Sequence, residues 1–402
     1  MAARTIPNPL ERIDLLILGL LFAAAGTASW IAADRVHTLG PPAANQWFQA
    51  DVPRVYGNMT QRESNHYRTG VHPLFSIATY PPVSALRRAG LDEERAVRAL
   101  IAGAAGLWLA ILYGVLRAFG LRRPDATLFA AVGAVSASAL FGSAVPETHL
   151  FGSITLLLVM GFAACAATRE FSPRWFVGFS AVSLSMAVTN WTAGLAVTAL
   201  NHPWRRSVRI SLGAFAAVTV VWALQNAIFP SSQFFLFAFG ERRYVLLEGA
   251  GGIGSRLTAF FFHPMVMPLV QVLENPLQPE WSIFSVQHAA IGSSGLLGAV
   301  LSLIWIWLLA VGVRTFVGRG ALDKPRIVLG LTLLGQLALH LVYGDETFLL
   351  SLHWLPLLVM VAGIGTLGPQ RRTALIAGTL LAIGACVNNV DQFVRVTSEL
   401  HR

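Results

Sequence analysis

IDLLILGLLFAAAGTASWIAA, residues 13–33, is the stretch on which the reading of the whole chain turns. It carries a single acid, Asp14, in a run long enough at about 1.5 Å per residue to cross a hydrocarbon core of roughly 30 Å. In lipid every backbone N–H and C=O must be satisfied within the segment itself, and a helix does that. Arg4 and Arg12 precede the run as charges precede the apolar part of a signal peptide, and it ends on Ala32-Ala33-Asp34. Its length favours an uncleaved first span with a cytoplasmic N-terminus.

Outward from this run, further apolar windows predict helices at 96–117, 126–143, 149–168, 175–189, 190–201, 208–229, 293–315, 326–343, 348–368 and 372–390, which makes about eleven transmembrane helices. The segments 175–189 and 190–201 are short and meet at Asn190-Trp191, as the arms of a bent hairpin would. Composition agrees. Of 402 residues 55% are hydrophobic and 12% charged, with a mean hydropathy of +0.60, which excludes an ordinary soluble domain. The expected fold class is an all-α polytopic membrane protein forming one transmembrane domain over 1–402, without internal repeats.

The net charge of +9 comes from arginine, Lys324 being the sole lysine. Alternating sides from the first span places Arg117, Arg122 and Arg123 together with Arg169, Arg174, Arg205, Arg206, Arg209, Arg314, Arg319, Lys324, Arg326, Arg371 and Arg372 on one side. That is the positive-inside bias of short cytoplasmic loops. Because these charges form no continuous basic face, no nucleic-acid partner is expected. Cys165 and Cys386 lie inside apolar runs, outside any metal-binding spacing.

The opposite side receives two long loops, 34–95 and 230–293, and two short ones, 142–148 and 344–347. Between Pro41-Pro42 and Pro81-Pro82, residues 46–59 are predicted as a helix lying along the membrane surface, anchored by Trp47, Phe48 and Tyr56. Asp51, in NQWFQADVPRVYGNM, is a carboxylate able to take a proton from an acceptor hydroxyl while a sugar leaves a phosphate carrier; alternatively it caps the helix that Pro53 begins. His72 and Tyr80, in HPLFSIATYPP, are substrate-contact candidates. Glu147, Asp345 and Glu346 sit in loops so short that they must lie near the membrane surface, where a charge is hydrated, paired or used. His353 follows Glu346 by two α-helical turns, which would put both on one face.

Fixed cations on this side would hold an anionic ligand, and arginine offers two parallel hydrogen bonds. The outer candidates are Arg54, Arg68, Arg242, Arg243 and Arg256, with the adjacent pair Arg242-Arg243 beside an apolar stretch the leading choice. Gly249, Gly251 and Gly254 spell GxGxxG, but no strand–helix unit surrounds them, so they predict a flexible loop rather than a dinucleotide site. The triplet Asn58-Met59-Thr60 fits an N-glycosylation acceptor, a pattern common by chance.

The first helix, the long first outer loop with Asp51, His72-Pro73 beyond it and the second large outer loop near the middle together resemble the GT-C superfamily of polyprenyl-phosphate-sugar-dependent membrane glycosyltransferases. That group includes protein O-mannosyltransferases and aminoarabinose transferases. The resemblance covers the order of elements over most of the chain and implies a GT-C-like bundle. It implies Asp51 as the first-loop catalytic acid, with Asp34 the nearest rival, and a polyprenyl-phosphate-linked sugar passed to a glycan, lipid or protein acceptor outside the cytoplasm. Many members carry two adjacent acids there, whereas this chain has Ala50-Asp51-Val52, which leaves a divalent cation without its bridging pair. Arginine over lysine points to a bacterial inner membrane. The rival expectation is a secondary transporter or lipid-linked sugar flippase, for which Asn190-Trp191 between two short helices speaks.

Overall fold

The computed structural model describes residues 11–36, 46–236, 239–274, 282–318 and 323–400; Arg4, Pro41-Pro42 and Arg319 lie outside them. The helices are α1 (Arg12–Val36), α2 (Val52–Thr60), α3 (Phe75–Arg88), α4 (Glu93–Ala118), α5 (Arg123–Ala134), α6 (Ala137–Gly142), α7 (His149–Ala166) and α8 (Pro173–Met186). They continue as α9 (Trp191–Asn201), α10 (Trp204–Ile228), α11 (Ile253–Phe261), α12 (Leu296–Gly318), α13 (Lys324–His340), α14 (Leu355–Ile364) and α15 (Arg371–Leu400). A two-stranded antiparallel ribbon, β1 (Gln271–Leu273) with β2 (Ile283–Ser285), is the one sheet among the described residues.

Six of these helices, α1, α4, α7, α10, α12 and α15, are long and apolar enough to cross a membrane by themselves. A seventh span is made if the 3-10 helix Thr347–His353 and the segment Leu355–Leu367 count as one, bent by 58°. The chain is thus a polytopic α-helical membrane protein. Large apolar side chains such as Leu16, Leu20, Leu224, Leu303 and Ile383 stay exposed on the outside of the bundle, where lipid is the solvent. Helix contacts are closest where glycine replaces a side chain. A Cβ at Gly106 of α4 would sit 2.6 Å from the Phe22 carbonyl of α1, and one at Gly312 of α12 only 2.2 Å from the Val361 carbonyl of α14.

Helix ends that alternation assigned to one side are joined by polar contacts. Near the start of α1, Asp14 is fully buried and accepts from Tyr113 (2.6 Å), Arg117 (3.1 Å) and Arg123 (3.2 Å). Arg371 at the start of α15 grips Asp125 at the start of α5 with two bonds of 2.6 and 2.9 Å. Lys324 at the start of α13 reaches Asn201 at the end of α9 (3.0 Å).

Several sequence expectations are corrected. The helix expected at 126–143 breaks at Val135-Ser136, where the Ser136 hydroxyl caps α6 by accepting from Ala139 N–H. The one expected at 348–368 starts as a 3-10 helix because Pro356, near the start of α14, cannot donate an N–H to the preceding turn. Pro81-Pro82 does not punctuate a loop but lies inside α3. The last helix continues to Leu400, past 390, where polar residues end the apolar window but not the backbone hydrogen bonding. The surface helix expected at 46–59 is confined to α2. Residues 46–49 form a turn with Phe48 and Gln49 at positive φ (50° and 63°).

That turn has a cause. Trp47 and Phe48 are not membrane anchors but buried side chains, packed against Phe141, Phe284, Phe348 and Phe393 with ring centroids 5.0–6.5 Å apart. The Trp47 indole donates to the Phe141 carbonyl (3.1 Å). Inserting two aromatics in succession forces the backbone into the left-handed region, which non-glycine residues adopt only when packing compensates. The segments that follow α1 and α10 then close on each other. Arg62 reaches the Ile228 carbonyl, Thr69 the Gln233 carbonyl, and His66 N–H the Ser231 hydroxyl. Gln225 of α10 bonds both Ile77 N–H and the Pro73 carbonyl, tying α3 to the bundle.

Candidate functional site

Beneath the joined outer segments lies a polar chamber of about 120 Å³, walled by α2, the 3-10 turn Tyr67–Gly70, the start of α7 and the loop after α13. It adjoins a cavity of about 220 Å³ lined also by Phe235, Leu339 and His340; Arg68, His72, His149, Tyr343 and Leu350 line both.

Asp51 occupies the position before α2 but makes no side-chain capping bond. Its carboxylate instead pairs with Arg54, one turn on, and 39% of the side chain stays exposed. Asp51 N–H donates to Glu147 Oε1 (3.2 Å), so the two acids, 96 residues apart, form adjoining parts of one wall. Glu147 is buried, and its Oε2 accepts from Thr148 N–H (2.6 Å) and Thr148 Oγ1 (3.2 Å). Both bonds go to Thr148, the residue that precedes the first turn of α7.

Two guanidiniums face these acids. Arg54 lies over the Tyr67 ring (5.7 Å) and Arg68 over the Tyr244 ring (6.0 Å), with Arg68 also paired to Glu241. Glu241 in turn accepts from the Tyr343 hydroxyl. Burial, reinforced by that bond, pushes the Tyr343 phenol above its ordinary value, so it stays a donor. Arg54 Nη1 and Arg68 Nε are buried and have no hydrogen-bond partner among the described residues. Buried unpaired donors on charged groups are costly, and an anion in the chamber would satisfy them.

Glu346 forms the floor. Its Oε2 accepts from the Ser285 hydroxyl of β2 (2.6 Å) and from Val286 N–H (3.3 Å), whereas Oε1 has no partner among the described residues. Burial pushes its carboxyl up to about 7, moderated by those bonds. Burial also pushes Asp345 up, with Arg256 opposing. His72 donates from Nδ1 to the Met186 carbonyl (2.8 Å), and burial together with the Arg68 charge pushes it well below the ordinary imidazole range, leaving it neutral.

The structure therefore brings Asp51, Arg54, Arg68, His72, Glu147, Asp345 and Glu346 to one chamber, with His353 in the adjoining cavity. Glu346 and His353 do not share a face. A 3-10 helix turns about 120° per residue, so seven residues leave them about 120° apart where an α-helix would have realigned them. Other candidates stand elsewhere. Arg242 and Arg243 are exposed on a 3-10 turn, Arg243 stacking on Tyr244 (4.8 Å), and neither lines the chamber or the cavity. Asp34 bonds Arg98 (2.7 Å) outside the chamber, and Tyr80 packs edge-on against Phe229 (5.3 Å). Arg256 serves three carbonyls, of Gly251, Leu341 and Leu247, and so staples the GxGxxG segment rather than binding ligand. Asn58 is buried and accepts from Ser64. Asp51 is engaged by Arg54, and among the described residues no three His, Cys, Asp or Glu side chains group as a metal site.

Sequence reasoning missed Glu241, Tyr343 and His149. The first two are recognisable only through their bond to each other across 102 residues. His149 did carry a signal, standing two residues after Glu147 in the same short outer turn.

No family model matches the chain, and no curated protein sequence matches it. Among solved structures, the fold is similar to the crystal structure of ArnT from Cupriavidus metallidurans bound to undecaprenyl phosphate. The TM-score is 0.59 at 13% identity, covering 94% of this chain and 77% of that one. At this identity the likeness shows a shared polytopic helical fold and nothing further.

Proposed function

We propose that the protein is a membrane glycosyltransferase that takes a sugar from a polyprenyl-phosphate donor and passes it to a glycan, lipid or protein acceptor on the extracytoplasmic face of a bacterial inner membrane. The observation that carries this reading is a charged chamber beside a more apolar cavity, with Arg68 lining both and Arg54 lining the chamber, each holding a buried N–H without a partner among the described residues. An amphiphile with an anionic head and a hydrocarbon tail fits that pairing. The structure of similar fold was crystallised with undecaprenyl phosphate, a ligand of that description.

In this reading Arg54 and Arg68, rather than Arg242 and Arg243, hold the phosphate and stabilise charge as the sugar–phosphate bond breaks. Asp51 is the chamber's more exposed acid and takes the proton of the attacking hydroxyl, while Glu147 fixes its backbone from behind. His72, Asp345 and Glu346 line the remainder and contact sugar or acceptor. Asp34 and Tyr80 have no place in the chemistry. Closure of the outer segments excludes water, which would otherwise compete as acceptor.

The test is to incubate the purified protein with a panel of polyprenyl-phosphate sugars. Consumption of one donor supports the reading, and inertness toward all of them with an acceptor extract present refutes it. A carrier would draw on the span broken by 58° at Trp354. Its signature would be movement of intact lipid-linked sugar across vesicle membranes without loss of the sugar.

A further inference from the structure

From Glu147 a line of buried polar side chains runs inward through His149 and His353 to Asn190, and its hydrogen bonds fix where the hydrogens lie. Asn190 Nδ2 donates to the Gly152 carbonyl (2.9 Å), and a backbone carbonyl can only accept, so the amide orientation is set. Asn190 Oδ1 therefore faces Gln336 Nε2 (3.1 Å) and His353 Nδ1 (3.1 Å). An amide oxygen also only accepts, which places a hydrogen on His353 Nδ1 and makes its neutral Nε2 an acceptor. That nitrogen is 3.3 Å from His149 Nδ1, which must then be the donor. His149 Nε2 is left as a lone pair, 3.6 Å from Glu147 Oε2.

Were Glu147 ionised and both imidazoles neutral, the line would end in a lone pair opposed to a carboxylate 3.6 Å away in a buried place. One added proton removes the conflict wherever it settles. It can sit on Glu147 and donate to His149, or on the imidazole and donate to Glu147. The approach needed for this is built in at Gly152, where a Cβ would meet His353 Cε1 at 2.6 Å. The charges around the line give the proton a consequence. The chamber sets Asp51, Glu147, Asp345 and Glu346 against Arg54 and Arg68, with Glu241 on Arg68 and neutral His72 beside Thr148; His340, stacked on Trp354, lies farther along the cavity. An anionic headgroup would enter an acidic surrounding unless part of it is neutralised.

We propose that Glu147 and His149 share one proton, held in register by His353 and Asn190, and that this proton lowers the acidity of the chamber wall enough to admit a phosphate. The phosphate part rests on the glycosyltransferase reading above; the shared proton does not. His353 and Asn190 are positioning residues acting through His149.

The proton is read directly on the full chain in detergent micelles, without donor, by nitrogen-15 resonance of labelled histidines and by the carboxyl infrared band lost in Glu147→Gln. A protonated Glu147 or a cationic His149 is expected. An ionised Glu147 beside a neutral His149, or a neutral His149 with its hydrogen on Nε2, overturns the proposal. In Asn190→Leu the Nδ1–H form of His353 should lose its preference, a change that a merely structural role would not produce. The same variant should bind undecaprenyl phosphate about tenfold more weakly than the wild type, the effect of one uncompensated charge near the phosphate. Equal binding overturns the phosphate role. Absence of binding in the wild type overturns that role and the donor reading together, while the spectra still decide the proton.

Discussion

Replacing Glu346 by glutamine isolates one buried titration whose size follows from the structure. Glu346 is 2% exposed, lies in the loop ahead of the bent span, and is pushed by burial from an ordinary 4.5 up to about 7. The folded chain thus holds this proton more tightly than the unfolded chain does. The resulting stabilisation is present in full below the unfolded value and is lost as pH rises through the folded one. At about 1.4 kcal/mol per pK unit, the loss is on the order of 3 kcal/mol across the interval from about pH 4.5 to above pH 7. Glu346→Gln cannot ionise and should lack this component. The assay is unfolding in mild detergent followed by circular dichroism at about pH 5, 6, 7 and 8, comparing wild type with Glu346→Gln. The wild type should lose roughly 3 kcal/mol relative to the variant over that range, most of it below about pH 7. Parallel curves would refute the placement of an unmatched carboxyl in the chamber floor.

The remaining expectations are more local. Trp47→Ala should cost about 3–5 kcal/mol, measured by the same unfolding assay, because it empties the centre of the aromatic cluster that sets the backbone before Asp51. Gly312→Ala should lower the melting temperature markedly, since its Cβ would strike the Val361 carbonyl at 2.2 Å and neither backbone can yield without separating α12 from α14. Arg371→Met should lower the unfolding midpoint by leaving the buried Asp125 unpaired, and the double change with Asp125→Asn should recover part of that loss. Arg68→Met should weaken undecaprenyl phosphate binding by about tenfold or more, whereas Arg242→Ala with Arg243→Ala should leave it within about twofold, as read by equilibrium binding in micelles.

What could be read from the sequence follows from what lipid requires. Apolar runs such as 13–33 and 208–229 must be helical because their backbone has no other partner, so the polytopic class was visible from hydropathy. Breaks inside the runs were not. The interruption at Val135-Ser136 rests on a serine cap, and the bend at Trp354 on one proline, both weak signals within apolar sequence. Trp47 and Phe48 are the residue types that anchor helices at interfaces, and only the distant Phe141, Phe284, Phe348 and Phe393 make them core. Arg242-Arg243 stand exposed on a 3-10 turn and line neither cavity, whereas Arg54 and Arg68, separated in sequence, both line the chamber, a convergence that belongs to the tertiary fold. Periodicity misled for Glu346 and His353 because the helix between them is 3-10. Asp51 and Glu147 could each be picked out as outer-loop acids, but their contact spans 96 residues and belongs to the tertiary fold.

Every role proposed above depends on sugar transfer in the chamber with Asp51 accepting the proton. The most direct measurement compares wild type and Asp51→Asn, both purified, for donor consumption and for undecaprenyl phosphate binding in one preparation. The variant should bind the lipid phosphate and unfold as the wild type does, yet transfer at least about a hundredfold more slowly. Undiminished transfer by Asp51→Asn, or a wild type that binds no polyprenyl phosphate, would contradict it.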